Sequence, residues 1–345
     1  MGARRTAVVL FQLGGPDSLE AVGPFLFNLF MDPDIINFPL ARLARKPLAR
    51  YISKRRSKYV AQHYSEIGGK SPIHDLTMAQ AKALEKELKA GMDAQVFVAM
   101  RYWHPLTDTV AEEVKKGGFD EIILLPLYPQ CSITTSGSSL NEWHRQCSRV
   151  GLTGVPQRLV HHYYDNPKYI EAIVDRVNAS LLRLEDTAST HILFSAHGLP
   201  LSVIKRGDPY QRHIEETVRL VRERGGWKNP ATLCYQSKVG PAKWLEPSLH
   251  ETIHELGTSG VKGVLVVPIA FVTEHIETLH EINIEEREEA EKSGITNFSL
   301  MPALNDHPRF IEALADEVIK RTTDGERPDD RLCVCRAVMK KWGAN

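Results

Sequence analysis

Eight short apolar segments, separated by helical patterns, constrain the fold more than any other feature of the sequence. Within each segment the apolar residues are nearly continuous, which is typical of parallel strands buried on both faces. The segments are Thr6–Leu13, Gln95–Met100, Glu121–Leu127, Pro156–His161, His191–Ser195, Thr232–Tyr235, Gly263–Ile269 and Asn297–Met301. Their alternation with helices over 345 residues predicts an α/β protein made of two doubly wound, Rossmann-like domains with parallel sheets.

The two halves of the chain resemble each other. Residues 9–16 read VLFQLGGP and residues 193–200 read LFSAHGLP, while residues 123–128 (ILLPLY) resemble residues 265–271 (LVVPIAF). We therefore predict an internal pseudo-symmetry. The predicted domains are an N-terminal domain in residues 1–165, a C-terminal domain in residues 166–325 and an extension in residues 326–345. Because ligands of open α/β sheets bind beyond the carboxyl ends of the strands, we expect a cleft between the domains to hold the functional residues.

Potential metal ligands follow the predicted strands of the second half. His197 comes after the first of these strands, and the Gly and Pro that follow predict a tight turn that presents the imidazole. Residues 274–286 read EHIETLHEINIEE, and a helix here would place Glu277, Glu281 and Glu285 on one face. Carboxylates in series can pass a divalent ion inward, and an imidazole exchanges protons near pH 7. We predict a site that exchanges protons for a metal ion, with a solvated acidic face as the alternative.

A zinc-protease motif, H-E-x-x-H, occurs at residues 250–254. Its two histidines lie beside an apolar stripe that includes Leu249 and Ile253, and the helix leads into a buried strand. We therefore predict a crossover helix away from the site and interpret the match as coincidence. The alternative, a zinc protease, predicts stoichiometric zinc at His250 and His254.

Residues 38–64 form a basic amphipathic segment. No acidic residue lies between Asp34 and Glu66, whereas apolar residues such as Leu48 and Tyr51 keep helical spacing. The basic residues are Arg42, Arg45, Lys46, Arg50, Lys54, Arg55, Arg56 and Lys58. This composition predicts contact with a membrane surface or an anionic amphiphile, with a plain basic surface helix as the alternative. The net charge is +0 and no second basic cluster occurs, so we expect no nucleic-acid partner.

Ordered motifs over nearly the whole chain resemble those of the ferrochelatase family. They include LGGP at 13–16, RR at 55–56, IGGxSPI at 67–73, RYxHP at 101–105, YPQ at 128–130 and GSSLN at 137–141. The most specific are SAHGLP at 195–200, RGDPY at 206–210, QSKVGPxxWL at 236–245 and PIAFVTEHIETLxEI at 268–282. The resemblance implies a chelatase-like fold with a porphyrin cleft. It also implies insertion of ferrous iron into protoporphyrin IX, with release of two protons, as the last step of haem biosynthesis.

The resemblance implies roles for individual residues. His197 and Glu277 would face each other at the metal, with His275 as a further catalytic residue and Glu281 as a further metal ligand. The residues that would contact or line the porphyrin are Leu13, Arg56, Tyr64, Ser71, Arg101, Tyr102, Trp244 and Phe271. Residues 38–64 would form a substrate lip. Which of His197 and Glu277 accepts the pyrrole protons stays open.

The five cysteines are informative about an iron–sulfur cofactor and about the cellular compartment of the protein. They are Cys131, Cys147, Cys234, Cys333 and Cys335. Their small, odd number predicts free thiols in a reducing cytoplasm. Some ferrochelatases hold a [2Fe–2S] cluster with cysteines near the C-terminus. Here the six residues after Cys335 contain no cysteine, and Ile133 occupies a position that matches a family ligand. We expect free thiols, with the cluster as the alternative.

The expected partners are protoporphyrin IX and ferrous iron, the latter as substrate. We expect a cytoplasmic protein, peripheral at the inner membrane through the lip, and make no prediction of its oligomeric state. Two alternative functions remain. A relative that acts on coproporphyrin is disfavoured because the lip suits a less polar, membrane-derived porphyrin. A haem- or metal-binding carrier would need no row of acidic residues.

Overall fold

The computed structural model describes residues 4–35, 41–184, 186–238, 240 and 242–323. The chain divides into two compact units. The first unit comprises the described residues up to His162 together with those from Leu314 onward, and the second comprises Tyr163–Ala313. Residues from Leu314 onward thus group with the first unit, whereas the sequence pattern assigns them to the second domain.

The first unit is built on a parallel sheet in the order β2-β1-β3-β4. Its strands are β1 (Arg5–Gln12), β2 (Asp93–Met100), β3 (Glu121–Pro126) and β4 (Gln157–Leu159). Its helices are α1 (Val22–Met31), α2 (Ala41–Glu66), α3 (Ile73–Leu88), α4 (Thr107–Gly117), the π-helix π1 (Ile133–Gly137) and α5 (Ser138–Val150). The core contains Trp143, whose ring packs edge-to-face on Phe11 at 5.8 Å between centroids.

The second unit repeats this arrangement with the strand order β6-β5-β7-β8, again all parallel. Its strands are β5 (His191–His197), β6 (Ala231–Gln236), β7 (Gly263–Pro268) and β8 (Asn297–Leu300). Its helices are α6 (Pro167–Leu181), α7 (Leu201–Lys205), α8 (Tyr210–Gly225), α9 (Leu249–Thr258), the π-helix π2 (Glu277–Glu286) and α10 (Arg287–Lys292). The last helix among the described residues, α11 (Pro308–Thr323), begins in this unit.

The predicted fold class and pseudo-symmetry are confirmed. The first strand of each unit lies between the second and third, and a proline ends the third strand in the same register, with Phe11 opposite Pro126 and Ser195 opposite Pro268. All eight predicted segments form strands. The strands are identifiable because both faces of each sheet are covered, so nearly every strand position is apolar.

One helix differs in class from the expectation. The segment from Glu277 to Glu286 forms a π-helix instead of an α-helix. Hydrogen bonds in a π-helix span five residues, and such segments are rare and are frequently found at functional sites. The wider turn keeps Glu277, Glu281 and Glu285 in one row, although the residue pattern alone gives no sign of the change in helix class. Among the described residues, no helix is both long and apolar enough to cross a membrane.

Candidate functional site

The carboxyl ends of β5 and β6 place polar side chains together in the second unit. His197, the last residue of β5, pairs in register with Gln236, the last residue of β6. The π-helix π2 follows β7, which lies on the other side of β5. Since parallel strands all end at the same edge of a sheet, this topology brings the start of π2 beside His197.

The central contact of the site joins His197 and Glu277. His197 Nδ1 lies 2.9 Å from Glu277 Oε2, and their side chains are 36% and 17% exposed. Burial raises the pKa of the Glu277 carboxyl group, whereas the nearby His197 imidazole lowers it through its charge and its hydrogen bond. The lowering prevails and holds the pKa of Glu277 well below its usual range. Burial disfavours the imidazolium, but the Glu277 charge outweighs it and raises the pKa of His197. The pair is therefore an anionic carboxylate beside an imidazole that can hold a proton near neutral pH.

The turn after His197 is tightly packed. A Cβ atom on Gly198 would lie 2.9 Å from the backbone oxygen of Gln236 and 3.3 Å from the ring of Trp244. The Gly198 N–H donates to that same oxygen at 2.8 Å. The chain thus needs glycine here, and Trp244 packs against the turn that holds His197. Tyr210 supports the turn from another side, because its hydroxyl donates to the His197 carbonyl oxygen at 3.0 Å.

His275 lies behind the pair. Its side chain is buried, its Nδ1 lies 3.1 Å from the Thr273 carbonyl oxygen, and its Nε2 lies 4.0 Å from Glu277 Oε1. Burial lowers the pKa of His275, so this imidazole is neutral near pH 7. The Phe271 ring packs edge-on against both imidazoles, with centroids 4.5 Å from His275 and 6.4 Å from His197. Phe271 gives the polar cluster an apolar wall.

Glu281 extends the row along π2. Ser237 Oγ donates to Glu281 at 2.5 Å and lies 3.5 Å from Glu277. Burial and the neighbouring charge of Glu277 raise the pKa of Glu281 to about 7. The next acid, Glu285, is exposed. The row therefore leads from solvent to His197.

Ser237 was not among the predicted site residues. It adopts a left-handed conformation with φ of 62°, which is uncommon for a residue other than glycine. Its position directly after the carboxyl end of β6 was the available signal. Position alone does not reveal which strand-end serine will contact a carboxylate.

Arg101 and Tyr102 lie in a buried polar network of the first unit. Arg101 donates to Ser138 Oγ at 2.9 Å and pairs with Asp32 at 3.1 Å. The hydroxyl groups of Tyr102 and Ser138 both donate to Asp32. Tyr102 is buried, so its ring supports Arg101 from within the unit. Asp32 and Ser138 were not predicted, because an acid after a helix and a serine at a helix start are common features.

The other predicted porphyrin contacts of the first unit lie around the turn after β1. The Ser71 N–H donates to the Pro16 carbonyl oxygen at 2.8 Å, and a Cβ on Gly15 would lie 2.6 Å from the Ser71 side chain. The Leu13 carbonyl accepts from the Tyr102 N–H at 3.1 Å. Two further residues come from α2: Tyr64, which is buried, and Arg56, which is exposed.

The H-E-x-x-H segment lies on α9, as predicted, but its glutamate has a local role. Ser248 is the N-cap of α9, where its Oγ accepts from the Glu251 N–H at 3.2 Å and donates to the Glu251 carboxylate at 2.7 Å. This capping contact stabilises the start of the helix. Glu251 therefore takes part in capping the start of α9 in this structure.

The described cysteines are buried. Cys147 and Cys234 are free thiols, and burial raises the pKa of the Cys147 thiol to about 12. Cys131 takes part in a disulfide bond, so the expectation of free thiols is wrong for this residue. Cys333 and Cys335 lie outside the described residues.

The fold is that of the chelatase class. SirB from Bacillus subtilis with Fe3+ is similar over 93% of this chain and 96% of its own, with a TM-score of 0.56 and 15% sequence identity. The sirohydrochlorin chelatase SirB from Bacillus subtilis subspecies spizizenii, in complex with cobalt, gives a TM-score of 0.53 at 13% identity over 93% of this chain and 97% of its own. At this identity the likeness establishes the fold alone.

Sequence comparison identifies the family within that class. The sequence model described as Ferrochelatase matches residues 5–322. A ferrochelatase from Picosynechococcus sp. is 50% identical over 99% of this chain and 90% of its own, and one from Gloeothece citriformis is 48% identical over 98% of this chain and 88% of its own. The chain belongs to the ferrochelatase family.

Proposed function

We propose that this protein inserts ferrous iron into protoporphyrin IX and releases two protons, forming protohaem. Membership of the ferrochelatase family supports this activity. The observation that carries the residue assignment is the contact of 2.9 Å between His197 and Glu277 at the inner end of an acidic row. A carboxylate and an imidazole at one point can both attract a divalent ion and accept the protons that the ion displaces.

The proposed reaction exchanges two pyrrole protons for one Fe2+ ion. The Nδ1–H of His197 donates to Glu277, which leaves Nε2 with a free lone pair. In this scheme Nε2 takes the two pyrrole protons in turn and passes each to solvent, since the His197 side chain is 36% exposed. Glu277 has a depressed pKa, so it remains anionic and can bind the incoming ion through its second oxygen. In this scheme Glu281 passes the ion inward, and the neutral His275 holds the Glu277 carboxylate from behind.

The apolar residues of the site suit the macrocycle. Phe271 and Trp244 are each partly exposed beside His197, so their rings can contact a porphyrin face. In the first unit, Leu13 and Arg56 also remain accessible. We assign the apolar contact to Leu13 and the pairing with a propionate carboxylate to Arg56. Ser71 and Tyr64 hold the turn and helix that carry them.

We further propose that α2 binds the anionic cytoplasmic face of the inner membrane as the substrate lip. Leu48, Tyr51 and Tyr59 are exposed large apolar residues of this helix, and Lys54 and Lys58 are exposed among them. Such a surface binds anionic lipid by burying apolar side chains while the cations meet headgroups. Co-sedimentation with phosphatidylglycerol vesicles but not with phosphatidylcholine vesicles is expected. Equal sedimentation with both would contradict the proposal.

No iron–sulfur cluster enters this proposal. A cluster needs cysteine ligands, whereas Ile133 stands at a position that matches a family ligand, and Cys131 is disulfide-bonded. Protein purified without oxygen should therefore contain no acid-labile sulfide. Stoichiometric sulfide would show that the cluster alternative is correct.

The activity is tested with purified protein, ferrous iron and protoporphyrin IX under anaerobic conditions. Loss of porphyrin fluorescence with appearance of the haem spectrum is expected, and coproporphyrin should be the slower substrate when both are offered. Tight haem binding without metallation would instead identify a carrier. Faster metallation of coproporphyrin would overturn the substrate assignment.

A further inference from the structure

Helix α9 carries two histidines on one exposed face. His250 and His254 are four residues apart, and their side chains are 63% and 59% exposed. This spacing places neighbouring Cβ atoms about 5–6 Å apart on a helix. Two imidazoles at this spacing can bind one metal ion together. Neither residue belongs to the cluster around His197.

A carboxylate fixes each of these imidazoles. His250 Nδ1 lies 3.3 Å from Glu286 Oε2, and His254 Nδ1 lies 2.9 Å from Glu289 Oε1. The side chains of Glu286 and Glu289 are 16% and 19% exposed, and Ser293 Oγ donates to Glu289 at 3.0 Å. A histidine that binds a metal through one nitrogen usually donates its other N–H to a carboxylate or carbonyl, which sets the tautomer and the ring orientation. Here two adjacent rings each have a carboxylate at Nδ1, and in the neutral tautomer that donates to it Nε2 keeps a free lone pair.

We propose that His250 Nε2 and His254 Nε2 bind one divalent transition-metal ion of borderline softness, such as Zn2+, Ni2+, Cu2+ or Fe2+. Imidazole is a preferred ligand of these ions. Water completes the coordination sphere because both rings face solvent. Glu286 and Glu289 are positioning residues. Glu286 directly follows Glu285, the exposed end of the acidic row, so the site adjoins that end of π2.

Two surface ion pairs would give the same contacts without a metal. A metal site and two separate ion pairs make different demands on His250 and His254. Ion pairs act independently, whereas a metal site needs both histidines at once and binds a stoichiometric ion. His74 provides a matched control because it is also exposed (43%) and lies 3.0 Å from a carboxylate, that of Asp75, but Met78 stands four residues later.

The test measures Zn2+ binding by calorimetry on the full chain with His197→Ala, Glu277→Gln and Glu281→Gln, which removes the proposed chelatase site and its acidic row from the result. One equivalent of Zn2+ should bind, and adding His250→Ala or His254→Ala should weaken its affinity more than 10-fold. Adding His74→Ala should leave it unchanged. Glu289→Ala, which keeps both ligands, should weaken it about 10–100-fold. Circular dichroism confirms that each variant is folded.

A spectroscopic measurement identifies the ligands. Cu2+ added to the same protein should show an electron paramagnetic resonance spectrum with couplings to two imidazole nitrogens, reduced to one in either single variant. Zn2+ affinity that survives removal of both histidines would overturn the proposal. Binding that requires millimolar Zn2+ in the parent chain, or an equal loss on removing His74, would overturn it as well.

Discussion

His197 Nδ1 lies 2.9 Å from Glu277 Oε2, although the two residues are 80 positions apart in the sequence. The contact forms because β5 ends at His197 while π2 begins at Glu277, close to the carboxyl end of the adjacent strand β7. Glu277 raises the pKa of His197 and His197 lowers the pKa of Glu277, so each residue favours the charged form of the other. We therefore expect the function of the site to depend on the pair rather than on either residue alone.

Replacing His197 tests this dependence. His197→Ala should lower kcat for iron insertion about 10²–10⁴-fold, the usual contribution of a positioned acid–base group. Binding of porphyrin, followed by fluorescence quenching, should change little. His191→Ala is the matched control because His191 lies at the opposite end of β5, where it contacts Thr232. Wild-type turnover in His197→Ala would show that the imidazole takes no part in the mechanism.

The strands and the principal pair could be predicted from the sequence for physical reasons. A strand buried on both faces has to be apolar along its whole length, and β7 meets this condition at every position from Gly263 to Pro268. His197 could be placed because it follows such a strand and precedes a glycine and a proline. The family resemblance added Glu277 as its partner, and the structure brings the two side chains into contact.

Other features depend on contacts that a single sequence does not encode visibly. The π-helical class of residues 277–286 is set by packing, since the acidic spacing also fits an α-helix. Ser237 and Asp32 became recognisable only through their partners. The H-E-x-x-H match lies on α9, between β6 and β7, as expected of a crossover helix. The role of its glutamate could be found only in the structure, which shows the contact with Ser248.

Replacing Gly198 tests the packing of the turn. Gly198→Ala places a Cβ 2.9 Å from the Gln236 backbone oxygen, which cannot move without disturbing β6. Overpacking of this kind typically costs about 1–3 kcal/mol of the free energy of unfolding, and kcat should fall because His197 moves with the turn. Gly91→Ala is the control, since its Cβ would contact nothing within 4 Å. Urea denaturation measures both variants, and equal stabilities would contradict this account of the turn.

Replacing Asp32 tests the buried network of the first unit. The Asp32 side chain is fully buried and pairs with Arg101, which is 11% exposed. Asp32→Asn removes the closer and fully buried of the two carboxylates beside the Arg101 guanidinium, leaving Glu142 at 3.8 Å. Breaking a buried ion pair in this way should reduce the free energy of unfolding by about 3–5 kcal/mol. The exposed pair of Lys292 and Glu288 is the control, because Glu288→Gln should change stability by less than about 1 kcal/mol. Similar losses in the two variants, measured by urea denaturation, would show that Asp32 is not the centre of a buried charge network.

The raised pKa of Glu281 predicts how stability depends on pH. In the folded protein burial and the Glu277 charge raise this pKa to about 7, from an ordinary value of 4.5. Below pH 4.5 both folded and unfolded chains hold the proton, and the full contribution to stability is present. Between pH 4.5 and 7 the unfolded chain loses the proton while the folded chain keeps it, so the contribution declines with rising pH and is lost above 7.

Glu281→Gln removes this titration and keeps an oxygen that can accept from Ser237. The free energy of unfolding of the variant, relative to the unaltered chain, should therefore rise between pH 4.5 and 7 and then level off. The measurement is urea denaturation in the presence of a chelator, so that divalent ions do not screen the acidic row. Glu288→Gln, at an exposed position of α10, should show a constant difference over the same range. A difference for Glu281→Gln that stays constant or falls as the pH rises would mean that Glu281 is ionised in the folded protein throughout, and that the row presents two adjacent carboxylates to an incoming ion.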